Sequence, residues 1–578
     1  MNKNMFYGVF KRFLIIVFII AQISAGICAC SGTTANQKPE EEILELESRK
    51  CFDFFWNEAN TDPGSLGYGL IRDRAPGAPD LCSIASVGFG LSAYIIGVES
   101  GWVTRKEAMK RVSAILGMFL KNLDQFNGFY YHFVNMNTGE RDGNTEISVI
   151  DTSIFLCGCI TAGEYFGGDI KTKASAIFER VDWSWFVDES TGHFYMGAYP
   201  NGTFYRHWET YAEQLMMYIL GTGSPTYPIE SDVYYKFTRN KGYYKGFPPY
   251  IASVNDSLFT YQYSHAWFDF RNLTDEAGAH WFENSVTATK VNRQFCIDNA
   301  DKFRTLGPDA WGLTSCDRID GYFGPNGACY AADGTLPPSG AAGSIVFTPE
   351  ETIGALNNYY NNFPGLWGDY GFKDAFNLEG DTPWYGSDVI GIDKGITLLM
   401  LENYRSGLIW KYFMKNRYVK EGMKKLGFTK VKTLMLDDFD GHNVKGDWEA
   451  DDPAYGISKE NRASYDGKNS MRIDYDGESG NGQCVSYKFK QPLCVDQYHH
   501  LYFAAKGNIQ LVVEMITAKC SFRKEFTIAR EEEWQTVDWT LTDIESELTD
   551  VDRIEITVNP EKDDTRSTFY IDSVHFTN

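Results

Sequence analysis

Two glutamates four residues apart raise the first chemical question in this sequence. Glu209 and Glu213 stand in the stretch HWETYAEQL, where the apolar pattern predicts a buried helix over 208–221. Glu209 would fall in the first turn and accept hydrogen bonds from free backbone N–H groups. Glu213 would lie one turn deeper, where burial raises the pKa of a carboxyl group and makes it a general acid. The structural alternative is a buried ion pair of Glu213 with Arg206 or Arg271.

A second group of acids stands in the stretch GERDGNTEISVIDTSIFLCG. Ser148 and Asp151 have the spacing of a capping box at the start of a helix, so Asp151 already has a structural role. Asp142 and Glu146 precede that helix, whose dipole should keep their pKa values low, as a general base for water requires. Solvated loop acids are the alternative. A raised and a lowered carboxyl facing each other are typical of glycoside hydrolysis.

Aromatic and charged residues around these acids could hold a sugar. Aromatic residues make up 15% of the chain, more than one core needs, and their rings suit stacking on ring-shaped ligands. The loop GLIRDRAP adds alternating charges that could line a cleft or form an exposed ion pair. Any single aromatic is more often a core residue. The candidate substrate-binding residues are Arg72, Asp73, Arg74, Tyr211, His265, Trp267, Asp269, Arg271, Trp311 and Phe372, with Trp367 and Tyr370 nearby.

Helical patterns alternating with long glycine- and aromatic-rich loops must position these residues. Paired helices separated by loops indicate an α/α architecture, with short strands at 129–136 and 194–200 lying on it. The predicted helices are 40–59, 83–99, 104–124, 148–166, 170–182, 208–221, 277–302, 349–363 and 391–405.

The composition changes near residue 430. Beyond it, short alternating apolar runs are separated by Asp, Gly, Asn and Pro, which predicts an antiparallel β-sandwich, a jelly roll, over 431–578. Trp448 and Tyr455 favour ligand binding by this region. A module that only braces the main domain is the alternative.

The N-terminus has the features of a lipoprotein leader. Three basic residues precede a short apolar run, and Cys30 stands in a lipobox-like ICAC. We expect a signal peptide over 1–29, a lipid on Cys30, a polar tether over 30–42, and a location in the periplasm or at the outer-membrane surface. The remaining chain would carry 51 basic and 77 acidic side chains, a net charge of −26. Such a protein repels nucleic acid and favours a neutral substrate, and it meets the membrane only through its lipid.

The cysteines have no paired CxxC spacing. A zinc site is therefore not expected, and neither a metal nor another cofactor is predicted. Cysteines in apolar stretches are mostly buried thiols. One or two disulfides are compatible with an oxidising compartment.

A series of ordered motifs carries a family resemblance. They include GLIRDR, EISVIDTS, YAEQLMMYILGTGSPTYPI, YQYSHAWFDFR, DAWGLTSCD, LWGDYGFKDAFN and GIDKGITLLMLENYRSGLIW, spread over roughly residues 45–420. In this order they resemble the glucoamylase-like proteins of Bacteroidetes, which are similar to glycoside hydrolase family 144, the endo-β-1,2-glucanases. The resemblance implies an (α/α)6 toroid, an inverting reaction on β-1,2-glucan without a cofactor, Glu213 as the acid, and Asp142 or Glu146 as the base.

These observations together predict a mainly α, lipid-anchored glycoside hydrolase, expected to be a monomer. The catalytic toroid would occupy 43–430 and a carbohydrate-binding-like sandwich 431–578. An exo-acting hydrolase is the alternative within the enzymes. A surface glycan-binding protein without catalysis is the alternative from another class.

Overall fold

The computed structural model describes residues 40–439 apart from 329 and 331, and much of 446–577. Within the latter range, the description omits 451–456, 461–463, 466–468, 476–482, 496, 497, 499, 542, 543, 545, 546 and 560–566. The predicted signal peptide, Cys30 and Tyr455 lie outside the described residues. The first helix begins at Glu40, so residues 40–42 are helical rather than part of a tether.

Thirteen α-helices lie in the described part of the chain, all before residue 430. The predicted helices are found within a few residues of their expected ends, except the one over 208–221. The helices are α1 (Glu40–Asn57), α2 (Ile84–Glu99), α3 (Arg105–Lys121), α4 (Val149–Phe166), α5 (Gly168–Glu179), α6 (Leu215–Thr222), α7 (Phe259–Gln262), α8 (Trp281–Asp298), α9 (Pro338–Ala342), α10 (Pro349–Asn362), α11 (Gly391–Ser406), α12 (Leu408–Phe413) and α13 (Arg417–Lys425).

Buried helices alternate with amphipathic ones along the chain. Nearly every residue of α2 and α4 is buried, whereas α3 and α5 bury only one face. A helix that is apolar all round must be surrounded by protein. The helix α4 is long and apolar enough to cross a membrane, but 89% of it is buried inside the protein, as in a core helix.

Glycines allow the two buried helices α2 and α4 to touch. A Cβ atom on Gly158 would lie 2.1 Å from the carbonyl oxygen of Gly88, and one on Gly88 would lie 2.5 Å from that of Ile154. Any larger side chain would force the helices apart. Their start points are therefore fixed close together, with Ser83 capping α2 and Ser148 capping α4.

Short strands connect the helices at their ends. Most are two to four residues long and pair in antiparallel ladders. They are β1 (Arg74–Ala75), β2 (Leu81–Ser83), β3 (Tyr130–Tyr131), β4 (Phe133–Asn135), β5 (Ile147–Ser148), β6 (Tyr195–Ala198), β7 (Phe204–His207), β8 (Lys241–Gly242), β9 (Tyr250–Ile251), β10 (Leu273–Thr274), β11 (Cys316–Arg318), β12 (Gly321–Phe323), β13 (Trp367–Gly368), β14 (Gly371–Phe372), β15 (Phe376–Asn377), β16 (Trp384–Tyr385), β17 (Val389–Ile390) and β18 (Thr429–Lys430).

The region after residue 430 is β-rich, as predicted. Its strands are β19 (Thr433–Asp437), β20 (Gly446–Ala450), β21 (Ile457–Glu460), β22 (Ser470–Tyr475), β23 (Gln483–Leu493), β24 (His500–Thr517), β25 (Ser521–Thr540), β26 (Val551–Asn559) and β27 (Ser567–Thr577). The order is β20-β23-β26-β24-β27-β22-β21, with β19 on β27 and β25 on β24. The long strand β24 pairs with β27 through 500–506 and with β26 through 510–517. One buried apolar cluster serves this whole region.

The cysteine prediction is confirmed for the described residues. Cys494 is exposed and Cys520 is half-buried. The other seven of the nine described cysteines are buried: Cys51, Cys82, Cys157, Cys159, Cys296, Cys316 and Cys484.

Candidate functional site

The polar residues that could carry chemistry lie where the chain enters buried helices. Backbone N–H groups at these helix starts favour negative charge nearby. Asp73 and Arg74 precede α2, His132 and Glu146 precede α4, Asp151 lies in the first turn of α4, Glu213 precedes α6, Asp317 precedes α9, Asp374 and Asp388 precede α11, and Asp393 lies in its first turn.

His132 holds two of these carboxyl groups. Its Nδ1 lies 2.9 Å from Glu146 Oε1, and its Nε2 lies 3.5 Å from Asp151 Oδ1. Burial lowers the pKa of His132, but the charge of Asp151 and the hydrogen bond to Glu146 outweigh burial and raise it to about 9. The imidazole is therefore a cation at neutral pH.

The same contact keeps Glu146 ionised. Burial raises the pKa of Glu146, but the hydrogen bond and charge of His132 outweigh burial and lower it to about 2. A low pKa was predicted for this residue, and His132 rather than the helix dipole is its main cause. The predicted helix cap is confirmed in its serine half, because the Asp151 N–H donates to Ser148 Oγ at 3.2 Å. The Asp151 carboxyl accepts a hydrogen bond from the Ser148 hydroxyl at 2.5 Å. Burial raises the pKa of Asp151, against the charge of His132.

The hydroxyl of Ser264 holds the backbone at Glu213. Ser264 Oγ donates to the Glu213 carbonyl oxygen at 2.8 Å and accepts from the Met216 N–H at 3.1 Å. Burial, reinforced by the charge of Asp151, raises the pKa of Glu213 to about 7, as the sequence predicted. Within the described residues the Glu213 carboxyl forms no ion pair, so the proposed partner Arg206 or Arg271 is wrong.

The prediction of one helix over 208–221 is wrong. The helix α6 begins at Leu215, and the carbonyl of Glu209 instead accepts from the Thr238 N–H at 2.8 Å. This pairing keeps the chain non-helical until Gln214. The side-chain amide of Gln214 donates to the Thr210 carbonyl at 2.7 Å. The side chain of Glu209 is 70% exposed and does not serve a helix start.

A second carboxyl pair lies before and within α11. Burial and the charges of Asp393 and Asp317 raise the pKa of Asp374 well above its usual range. Burial raises the pKa of Asp393 to about 6, and the neighbouring side chains of Asp374 and Ser339 and the charge of Lys394 oppose this rise. Two adjacent buried carboxyls share one proton, because both cannot be ionised together. Asp374 holds that proton and Asp393 is the ionised partner.

Tyr263 connects the two groups of acids. This tyrosine is buried, and burial together with the charges of Asp393, Glu213 and Asp151 raises the pKa of its hydroxyl. The acids around Glu213 and the acids of α11 therefore act on one hydroxyl. The carboxyl groups of residues 151, 213 and 393 are therefore all near enough to the Tyr263 hydroxyl for their charges to act on it.

Arg74 forms a charged network with three carboxylates, one of which, Asp73, is also acted on by the charges of His132 and Asp151. Its Nη1 lies 3.0 Å from Asp317 Oδ2 and 3.6 Å from Asp388 Oδ2, and its Nε lies 3.3 Å from Asp73 Oδ2. Burial lowers the pKa of Arg74, but the charges of Asp317 and Asp73 outweigh burial and raise it. Arg72 is not part of this network, because its guanidinium donates hydrogen bonds to Glu58 and to the carbonyls of residues 76 and 77.

Most of the predicted sugar platforms are core residues. Their side chains are packed among other apolar groups, so they cannot contact a substrate in this structure. Those with at most 2% exposure are Tyr211, His265, Trp267, Trp311 and Phe372. Trp267 donates to Ser92 Oγ at 3.0 Å, and His265 Nε2 lies 3.0 Å from Ser285 Oγ.

Other predicted residues lie apart from the acids. Asp142 is exposed on its loop, so of the two base candidates only Glu146 joins the cluster. Asp269 and Arg271 bind each other at 2.8 Å, and Arg271 stacks on Trp410 at 4.3 Å. Tyr370 donates to Glu58 at 2.5 Å.

Sequence reasoning missed seven residues of this site: His132, Tyr263, Asp317, Tyr322, Asp374, Asp388 and Asp393. Among them, Tyr322 pairs with Asp317 across the β11–β12 hairpin. Asp393 gave one usable signal, because an acid in the first turn of a strongly apolar helix repeats the position of Asp151 in α4. The other residues reach the site through tertiary contacts that no local sequence pattern predicts.

Known proteins resemble most of the helical region. A family model described as "Putative glucoamylase" matches residues 205–417. Over 436 residues the chain is 29% identical to an exo beta-1,2-glucooligosaccharide sophorohydrolase (non-reducing end) of Parabacteroides distasonis. That match covers 68% of this chain and 59% of the relative, so the chain spans less than two thirds of that protein.

Solved structures show the same similarity. A crystal structure titled as a putative glucoamylase from Bacteroides uniformis has a TM-score of 0.63 and 32% identity, covering 68% of this chain and 99% of that one. An endo-beta-1,2-glucanase from Chitinophaga pinensis, in complex with sophorotriose and glucose, has a TM-score of 0.62 and 28% identity over the same shares.

Proposed function

The chain belongs to the family of glucoamylase-like proteins, and on this premise we propose that it is a glycoside hydrolase that cleaves β-1,2-glucan. Two relatives bear names of β-1,2-glucan hydrolases. The observation that carries the proposal is the buried carboxyl of Glu213, whose pKa is raised to about 7 by burial and by the neighbouring Asp151. An acid that is half protonated at neutral pH can give a proton to a glycosidic oxygen and recover it in each cycle.

Glu213 is the proposed general acid. Ser264 holds the carbonyl of Glu213 and the N–H of Met216, so the backbone that carries the Glu213 carboxyl is fixed before a sugar binds. The matched control stands four residues earlier, because Glu209 is 70% exposed and has the same side chain. We expect Glu213→Gln to lower kcat on linear β-1,2-glucan by about a thousandfold, within the range of general acid catalysis. Glu209→Gln should retain the wild-type rate.

Two carboxylates are candidates for the base that activates water. Glu146 is ionised, but its ion pair with His132 and its pKa of about 2 make it a weak base. Asp393 has a pKa raised to about 6 by burial, so it accepts a proton more readily near neutrality. We therefore favour Asp393, with Glu146 as the alternative and Asp142 set aside because of its exposure.

Inversion and the choice of base can be tested together. Inverting enzymes keep the acid and base carboxyls about 6.5–9.5 Å apart so that water fits between the base and the sugar. The anomeric form of the first product, followed by NMR, should be opposite to that of the substrate linkage. Azide should restore turnover to the variant that lacks the base, Asp393→Asn or Glu146→Gln, because it attacks without needing proton removal. A product of retained configuration would reject the inverting mechanism.

Cleavage within the chain is the proposed mode, with release from one chain end as the alternative favoured by the exo-acting relative. Linear β-1,2-glucan should yield a ladder of short oligosaccharides early in the reaction if cleavage is internal. A single disaccharide from the first minutes would instead establish the exo mode. Starch in a parallel reaction tests the glucoamylase description, and we expect no product from it. Binding to β-1,2-glucan without any product would make the chain a glycan-capturing protein.

We also propose the organisation that the sequence predicted. The alternation of buried and amphipathic helices supports an (α/α)6 toroid over 43–430, and the shared core of β19–β27 supports a sandwich over 431–578. A lipid on Cys30 would hold a monomeric enzyme at the periplasmic or outer-membrane surface. Cys30→Ala should move the protein from the membrane fraction to the soluble fraction of the cells.

A further inference from the structure

Three aromatic rings form a group on the β-rich region, far along the chain from the acids. The ring centroid of Trp534 lies 6.1 Å from that of Tyr465 and 6.3 Å from that of Tyr570. The side chain of Tyr465 is 44% exposed, and those of Trp534 and Tyr570 are partly exposed. These rings, here called the aromatic patch, are therefore open to solvent.

Strand alternation explains why the patch faces outward. On β27, Phe569 and Ile571 are fully buried, so Tyr570 between them points away from the core. Its neighbours across the ladder are Lys506 on β24 and Arg472 on β22. Paired residues share a face of a sheet, so a polar frame surrounds the ring of Tyr570.

The patch is held in place by buried contacts. The Tyr465 N–H donates to Asp572 Oδ2 at 2.7 Å, and Asp572 is fully buried. The Tyr465 hydroxyl lies 3.5 Å from Thr536 Oγ1. The segment carrying Tyr465 is thus tied across the sheet, and its ring needs little ordering when a ligand binds.

Charged side chains of the polar frame form ion pairs with one another. Arg472 Nη2 lies 2.9 Å from Asp474 Oδ1, and Arg472 Nη1 lies 3.7 Å from Glu460 Oε2. Thr568 Oγ1 donates to the same Asp474 oxygen at 2.6 Å. A frame of paired charges offers hydrogen bonds without a net field, which suits a neutral ligand with many hydroxyl groups.

We propose that the aromatic patch is a second glucan-binding site, which holds a polymeric β-glucan while the helical region cleaves it. The identity of the glucan rests on the proposed function. The rings of Tyr465 and Tyr570 are inclined to that of Trp534 by 59° and 57°, so the three do not form a flat platform. Inclined rings fit a glucan in which successive sugar rings are also inclined to each other. A 1,2-linkage produces such a chain, because it attaches each sugar next to the anomeric carbon of its neighbour.

The test compares binding of polymer with turnover of short substrates. Full-length protein carrying Glu213→Gln, which should leave the polymer intact, is run in native gels containing linear β-1,2-glucan. Adding Trp534→Ala and Tyr570→Ala should raise the dissociation constant for the polymer, obtained from the gel retardation, by about tenfold, because two stacking rings are removed. The same double change in otherwise wild-type protein should leave kcat/KM on short β-1,2-linked oligosaccharides unchanged. Tyr227→Ala is the control, since this tyrosine is 50% exposed on the helical region.

Each outcome decides the proposal. Unchanged polymer binding in the double variant would overturn it, as would a change in oligomeric state without a change in glucan binding. If the double variant does not fold, Tyr465→Ala replaces it, because an exposed ring leaves no cavity when removed. If the wild type cleaves no β-1,2-glucan, the proposed function fails separately. The aromatic patch is then tested in gels that contain β-glucans of other linkages. Equal retardation of the proteins with and without the double change in every gel would reject the patch as a glucan-binding site.

Discussion

The imidazole Nδ1 of His132 lies 2.9 Å from Oε1 of Glu146, and this contact sets the charge of both residues. The histidine is a cation up to a pKa of about 9 and the glutamate is an anion down to a pKa of about 2. An ion pair is thus built into the wall of the site. It places a positive charge between the carboxylates of Glu146 and Asp151, which would otherwise repel each other.

This ion pair predicts how stability depends on pH. Because folding raises the pKa of His132 from about 6.5 to about 9, its contribution is complete below pH 6.5 and is lost as the pH rises through 9. His132→Gln should lower the free energy of unfolding by about 2 kcal/mol near pH 6, and the difference from wild type should shrink towards pH 9. Urea unfolding across this range measures it, with His193→Gln as the control. A difference that does not change with pH would contradict the ion pair.

Glu213 predicts the basic limb of the activity profile. A general acid must be protonated, so kcat/KM should fall as the pH rises through the Glu213 pKa of about 7. The residual activity of Glu213→Gln should lose this limb, because an amide has no proton to give up in this range. Initial rates on linear β-1,2-glucan between pH 5 and 9 provide the measurement. A basic limb that persists in the glutamine variant would assign it to another group.

Tyr322 is predicted to contact the substrate. It pairs across the β11–β12 hairpin with Asp317, whose N–H donates to Asp374 Oδ2 at 2.6 Å, and its side chain is 51% exposed. Its ring therefore stands open beside the carboxyl pair of Asp374 and Asp393. Tyr322→Ala should lower kcat/KM by roughly tenfold through lost stacking, while Tyr322→Phe should cost less than half of that loss in free energy.

The control for Tyr322 lies at the tip of the same hairpin. Ile319 is 79% exposed, so Ile319→Ser should leave both kcat and KM at wild-type values. Equal rates for Tyr322→Ala and wild type would remove Tyr322 from the site.

The buried pair of Lys394 and Glu47 predicts a large effect on stability. Lys394 Nζ lies 2.7 Å from Glu47 Oε1, and both side chains are nearly inaccessible. Lys394→Met should cost about 3–5 kcal/mol of unfolding free energy, because it leaves a buried charge without a partner. Adding Glu47→Gln should recover most of the loss. Urea unfolding of the two single variants and the double variant measures the coupling.

The control for this pair is a surface ion pair. Lys236 and Asp232 lie 3.2 Å apart with both side chains largely exposed, so Lys236→Met should change stability by less than about 0.5 kcal/mol. A double variant no more stable than Lys394→Met would show that the two buried charges do not depend on each other.

The sequence alone determined the features that rest on local pattern. Apolar periodicity located most of the helices, and the change of period near residue 430 located the β-rich region. The Ser148 cap of α4 and the raised pKa of Glu213 were also predicted, because a cap and a strongly apolar neighbourhood are visible in adjacent residues.

Only the tertiary structure decided which residues share a site. The helix over 208–221 failed because Thr238, far along the chain, takes up the carbonyl of Glu209. Trp267 and Trp311 were predicted to be platforms, but they fill the space between helices. The charges of Glu146 and Asp393 depend on His132 and Asp374. The pKa values of Glu146 and Asp393 depend on burial and on contacts within a few ångströms. Burial and contacts are set by how the whole chain folds, not by local periodicity.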